Sequence, residues 1–239
     1  METEIRKIKL EALKYDNEKL RQLITNTTDK STLNLSSSEL KDWDMEIVAK
    51  ELEINRSLTK LRLFTNQISD TGAQHLADAL RTNTTLTDLE LHGNLIGTGG
   101  LEHLADALRT NKTLNILTMH GNRIKDQEAG FIADKLKTNE VVTTLYLHAN
   151  QIGDVGAQFL ADALKANTTL TRLDLYTNQI GDSGAQYLSE ALKTNKSLTL
   201  LQLQTNQIGD SGAQYLADAL KVNKIPTQDM AHYRFLVLF

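Results

Sequence analysis

The chain has 239 residues, no cysteine and a formal net charge of −4 at pH 7. Those values exclude a disulfide framework, a thiolate zinc site and a cysteine nucleophile, and they give no global electrostatic pull toward nucleic acid. No apolar run approaches the roughly 20 residues that span a bilayer, and the opening Met-Glu-Thr-Glu-Ile-Arg-Lys lacks the apolar core of a secretory signal. A cytoplasmic protein with no membrane partner is expected.

Taken in order, residues 1–29 are strongly charged, and Leu10, Leu13, Asn17, Leu20 and Ile24 fall at alternating three- and four-residue spacing. That spacing predicts an amphipathic helix. It reads as an N-terminal cap over the first repeat; a coiled-coil seam would need more than two heptads. Residues 30–57 form a degenerate first repeat, with Leu33 and Leu35 in strand phase, Ser38 in the place of a recurring Asn, and Asp44 in the place of a recurring Gly. Terminal units of a repeat array are expected to be atypical, because one face meets a cap rather than a neighbour.

Six regular copies of 28 residues occupy 58–225, and Asn66, Asn94, Asn122, Asn150, Asn178 and Asn206 mark their period. Each copy reads Leu-x-x-Leu-x-Leu-x-x-Asn-x-Ile, then a turn, then Gly-Ala and an apolar helix pattern such as Ala185, Leu188, Ala191 and Leu192. The first half alternates as a strand with Leu89 and Leu91 inward and Glu90 and His92 outward; the second has helical period. Asp182 and Ser183 suit the helix N-cap. Asn83, Asn111, Asn139, Asn167, Asn195 and Asn223 stand where a left-handed C-cap would end each helix. The Asn after each strand is expected to bond backbone groups of adjacent turns, as a buried amide must. Asn26, Asn34, Asn55, Asn83, Asn111, Asn167 and Asn195 each open an Asn-x-Ser/Thr triplet; they read as structural asparagines before small turn residues. In the third copy Glu128 replaces the consensus Gly, which reads as drift. Residues 226–239 break the pattern and end Phe235-Leu-Val-Leu-Phe239, predicting a C-terminal cap or tail; a dimer contact and a truncated array are the alternatives.

The repeat string resembles the ribonuclease-inhibitor type of leucine-rich repeat, a type also found in the C-terminal arms of cytosolic NOD-like receptors, in the Ran GTPase-activating protein and in some delivered bacterial effectors. The resemblance is close over 58–225 and weak over 30–57. It departs from the mammalian inhibitor in having one repeat type and no cysteine. It implies an α/β fold, a right-handed leucine-rich-repeat solenoid (horseshoe) with an inner parallel sheet and outer helices, and it implies function only loosely.

Repetition supplies its own control: positions that hold across copies serve the fold, and those that vary are free for a ligand. Two residues before the marker Asn the column reads Phe64, His92, His120, His148, Tyr176, Gln204; four before it reads Arg62, Glu90, Thr118, Tyr146, Asp174, Gln202. Six before, Lys60, Asp88, Ile116, Thr144, Arg172 and Leu200 add flanking charges of both signs. With parallel strands about 4.8 Å apart, each column becomes a stripe across the sheet. Aromatic and imidazole groups are interface anchors, so the first two columns are the candidate partner-binding residues. The outer helices instead repeat an acidic residue three before a basic one, as in Asp162 and Lys165, which is expected for a solvated face.

No nucleotide-binding glycine loop and no catalytic grouping stand out from the repetition. The reading is a non-enzymatic protein-recognition module, monomeric, without a cofactor, binding a protein partner on its concave sheet; an effector or a sensor arm fits the resemblance. Two other readings are a small-GTPase regulator of the Ran-activator kind and a metal-binding protein using His92, His120 and His148.

Overall fold

A computed structural model describes residues 17–26 and 31–223. The predicted tail and the leucines at 10 and 13 lie outside the described residues. Strand and helix alternate throughout: α1 Glu18–Asn26, β1 Thr32–Asn34, α2 Asp42–Ile54, β2 Lys60–Arg62, α3 Asp70–Leu80, β3 Asp88–Glu90, α4 Thr98–Thr110, β4 Ile116–Thr118, α5 Asp126–Leu136, β5 Thr144–Tyr146, α6 Asp154–Ala166, β6 Arg172–Asp174, α7 Asp182–Thr194, β7 Leu200–Gln202 and α8 Asp210–Val222. The seven strands form one parallel sheet in sequence order. Each residue pairs with its equivalent one repeat later, as Leu89 with Leu117 and Glu90 with Thr118. This is the solenoid the repeat implied.

The core is the repeat's own leucine set. Leu61, Leu89, Leu117, Leu145, Leu173 and Leu201 from the strands meet Leu76, Leu104, Leu160, Leu188 and Leu216 from the helices, all buried. At the N-terminal end Leu20 of α1 is 1% exposed and belongs to the same core, with Ile24 packed against it. Each added turn buries apolar area that no single turn could bury alone.

Two asparagine ladders tie the turns together. In the first, Asn94 Nδ2 donates to the carbonyls of Leu63 in the preceding turn at 3.0 Å and Leu91 in its own at 2.9 Å, while its Oδ1 accepts from the Ile68 N–H at 3.2 Å. In the second, Asn111 Nδ2 donates to the Leu80 carbonyl at the end of the preceding helix at 2.8 Å, and Oδ1 accepts from the Leu114 N–H at 2.7 Å. This corrects the expected left-handed cap. Asn111, Asn167 and Asn195 have φ of −66°, −74° and −68° and extended backbone; they cap through the side-chain amide, reaching the previous turn instead of curling the chain back. Left-handed φ occurs instead just before the first ladder, as at Thr65, Ala149, Thr177 and Thr205, and at Gly93 and Gly121, where glycine carries no strain.

The N-cap expectation is corrected as well. Asp182 is the first helical residue of α7, and Gly181 before it is the N-cap. Its carboxylate caps the following helix: Asp182 Oδ1 accepts from the N–H groups of Gly209 at 2.7 Å and Gly212 at 3.0 Å. Asp154 does the same for Gly181 and Gly184 at 2.7 and 2.8 Å, and Asp42, Asp70 and Asp126 reach Ser69, Gly97 and Gly153. The arriving carboxylate explains the conserved spacing of Gly: a Cβ at Gly184 would lie 2.7 Å from both Asp154 Oδ1 and Ile180 Cγ2.

One junction departs from this scheme. Thr98 stands where the relay needs Asp, and Glu128 stands where the next helix has Gly. Glu128 Oε2 accepts from the Lys125 N–H at 2.9 Å, capping its own helix, while Oε1 accepts from the Thr98 hydroxyl at 2.5 Å. The glutamate is therefore compensation for the missing aspartate, not drift. The first turn, which follows α1, uses the same device: Asp44 Oδ2 accepts from the Lys41 N–H at 2.8 Å. At this junction the Arg123 N–H does not donate to the Ile96 carbonyl, although the equivalent bonds form at 2.8–2.9 Å for Gln67, Leu95, Gln151, Gln179 and Gln207. The Ile96 N–H likewise lacks the Asn122 contact that Ile124 makes to Asn150 at 3.0 Å. Arg123 adopts φ +59°, matched at that repeat position by Glu39 in the first turn.

Candidate functional site

The two candidate columns lie on the sheet face away from the helices. Arg62, Glu90, Thr118, Tyr146, Asp174 and Gln202 are in direct strand register. Phe64, His92, His120, His148 and Tyr176, two residues further on, form one continuous ring stack. Successive centroids are 4.4, 4.0, 4.0 and 4.1 Å apart with interplanar angles of 10–17°. Gln204 closes that column. The structure thus brings all twelve candidate residues onto one face.

The stack needs the strand alternation and the register together. A one-residue slip would send every ring into the core. Its electrostatics follow from burial. Desolvation pushes the His120 imidazole down to about 4, with charge on His148 and His92 adding to the fall. His92 is lowered by burial, opposed by Glu90. His148 is also lowered, first by burial, with Asp174 opposing and His92 and Arg172 adding. At neutral pH the ribbon is uncharged. Among the described residues, the Nδ1 atoms of all three histidines and Oε1 of Gln204 are buried without a hydrogen-bond partner beneath the ribbon's face.

Charges flank the ribbon. Lys60 Nζ lies 2.7 Å from Glu90 Oε1, with Arg62 Nε at 3.5 Å. Asp174 is 1% exposed and is held by Arg172 through Nε at 3.1 Å and Nη2 at 2.9 Å. The Gln202 amide, with its NH2 turned to this carboxylate, adds a donor at 2.8 Å. Arg172 also lies over the Tyr146 ring at 4.9 Å, and Tyr146 meets His148 edge-on at 6.2 Å. Burial and the Asp174 charge raise the Tyr176 phenol. Arg172 joins the site although the sequence marked it only as a flanking charge. Its signal was position: six before Asn178, one side-chain length from the Asp174 column.

The metal reading finds no geometric support. Rings stacked face to face hold their nitrogen lone pairs side by side rather than converging on one centre, and among the described residues no group of three or more His, Asp or Glu is placed to hold a metal ion. On the outer helices the predicted pairs form for Asp78, Asp134, Asp162, Glu190 and Asp218. Asp106 instead pairs at 3.2 Å with Lys135 of the next helix, which outcompetes Arg109. Among the described residues no helix is long and apolar enough to cross a membrane.

Two family profiles match the chain. A family profile described as "Leucine Rich repeat" matches residues 55–77 and 82–105, and one described as "TMOD/LMOD Leucine-rich domain" matches 122–228. No curated protein matches the chain. Among solved structures, one described as "Leiomodin-1 Actin-Binding Site 2 (ABS2)" is similar at 24% identity and a TM-score of 0.52, covering 62% of this chain and 86% of that one; this likeness concerns the fold. With the 28-residue register, the asparagine ladders and both profile matches in agreement, the chain is a leucine-rich-repeat protein.

Proposed function

We propose that the chain is a protein-recognition module whose partner lies on the concave sheet face, anchored by the stack from Phe64 to Tyr176. The observation that carries this reading is the stack itself. The leucine core is complete beneath it, so nothing in the fold requires five coplanar rings, and they leave buried nitrogens unpaired. A preformed ribbon on a rigid sheet loses little entropy on binding. Tyr146, Arg172 and Asp174 form a charged flank, and Arg62 with Glu90 forms the other.

The same proposal includes the rest of the assignment. The chain is a cytoplasmic monomer, working as an effector or a sensor arm, with repeats of the ribonuclease-inhibitor type, which the helix in every turn supports. Residues 1–29 are a cap, 30–57 a degenerate first repeat, 58–225 six repeats, and 226–239 a second cap or tail. Burial of Leu20 supports the N-terminal cap. Actin is the first partner to test, because the similar leiomodin-1 structure is named for an actin-binding site.

Co-sedimentation with filamentous actin should pellet the intact protein and leave a His92→Ala, His120→Ala, His148→Ala variant in the supernatant. Equal pelleting would remove the stack from the site. If neither pellets, actin is dropped, and the same pair is compared by affinity capture from lysate; identical captures count against the concave face.

A further inference from the structure

We infer that the cleft between the second and third regular copies, separate from the ring stack, binds an acidic, extended peptide segment. The cleft encloses about 600 Å³, with Leu95, Thr98 and Leu101 on one side and Arg123, Lys125 and Glu128 on the other. It lies on the edge of the solenoid where strands turn into helices.

Five departures from the repeat meet here. Leu95 and Arg123 stand in a column otherwise filled by Gln67, Gln151, Gln179 and Gln207; Lys125 stands among Ser69, Gly97, Gly153, Gly181 and Gly209; Thr98 and Glu128 replace Asp and Gly. All five line one cavity. Leu95 is 59% exposed, an apolar group at the mouth.

Charge selects the ligand. Arg123 and Lys125 are exposed, and neither has an ion pair among the described residues. Glu128, the one carboxylate of the lining, is buried and engaged by the Thr98 hydroxyl and the Lys125 N–H. The free charge of the cleft is therefore positive and suits carboxylates. The backbone selects the conformation. The Ile96 N–H and C=O and the Arg123 N–H make none of the inter-turn bonds of their equivalents. Donors and an acceptor along such an edge are the pairing groups of an added extended chain. The helix of the third regular copy begins as that of the first turn does, with Lys125, Glu128 and positive φ at Arg123 repeating Lys41, Asp44 and Glu39. An end-like face inside the array is left open for another segment.

The test is fluorescence anisotropy of the whole chain with a fluorescein-labelled (Glu-Val)3 peptide and its (Gln-Val)3 counterpart. Saturable binding of the acidic peptide is expected. At least tenfold weakening is expected for the Gln peptide and for an Arg123→Gln, Lys125→Gln variant, which alters only exposed side chains. Thr98→Asp with Glu128→Gly, which restores the regular junction, should weaken binding as much while keeping both cations. His120→Ala should bind as the intact protein does, keeping this site distinct from the ring stack. Absence of saturable binding overturns the inference. So does equal weakening by Lys165→Gln, Lys193→Gln on the outer helices, which would mean unspecific charge attraction.

Discussion

Two junctions of the same solenoid, Asp154 to Gly184 and Thr98 to Glu128, solve one problem in opposite ways. The problem is the unpaired N–H groups at the start of a helix. In the first, the preceding turn sends a carboxylate across, and glycine leaves room for it. In the second, the helix carries its own acid and the preceding turn sends only a hydroxyl. The first solution locks the turns together. The second frees them, and the backbone bond between Ile96 and Arg123 is the one that is not made. Identity at each position is thus set by its partner 30 residues away, and neither residue can be judged alone.

Transplanting one solution into the other gives the largest effect. Gly184→Glu alone drives a side chain into Asp154 and Ile180 and should cost about 3 kcal/mol or more in urea unfolding. Asp154→Thr alone removes a cap for about 1 kcal/mol. The double variant should recover about 1–3 kcal/mol of their sum, as coupled neighbours do. Strict additivity would separate the two positions and break the comparison.

A smaller effect sharpens it. Asn150 accepts from both Asn122 and Ile124 and donates to Met119 and Leu147. Asn122, at the open junction, accepts from Asn94 alone. Asn150→Ala should therefore destabilise by roughly 1 kcal/mol more than Asn122→Ala, one buried hydrogen bond's difference. Equal losses would mean that the open junction is no weaker than the rest.

The smallest effect is one of pH. The His120 pKa of about 4 in the folded chain lies below the ordinary imidazole value. Between the two the unfolded chain holds more protons, so stability is complete above the unfolded value and falls as pH drops toward the folded one. The thermal midpoint should fall by a few degrees from pH 7 to pH 5, and His120→Phe should flatten that slope. An unchanged slope would place the acid sensitivity elsewhere.

Period, strand phase, helix phase and the two outward columns were readable from residue identity, because repetition separates the recurring Leu, Asn and Gly from the variable Phe64, His92 and Tyr176. The ring stack was half readable: register put the rings in one column, but their coplanarity depends on rotamers. The aspartate relay was not readable from local pattern. Asp182 sits where a helix could be capped by its own side chain, and only three-dimensional proximity shows that it serves Gly209. Glu128 was visible as an oddity, whereas Thr98 passed as part of the turn. Their common spacing with Asp154 and Gly184 was the missed signal.

The relay also has a direction. Each aspartate of the relay lies N-terminal to the helix it completes, so a growing chain leaving the ribosome presents the carboxylate before the helix that will use it has been made. Each turn is laid down on a surface already prepared for it. Among the described residues, the helices starting at Asp42 and Asp126 are the ones whose N-cap N–H is met by an acid of their own first turn, so they do not wait on a carboxylate from the turn before.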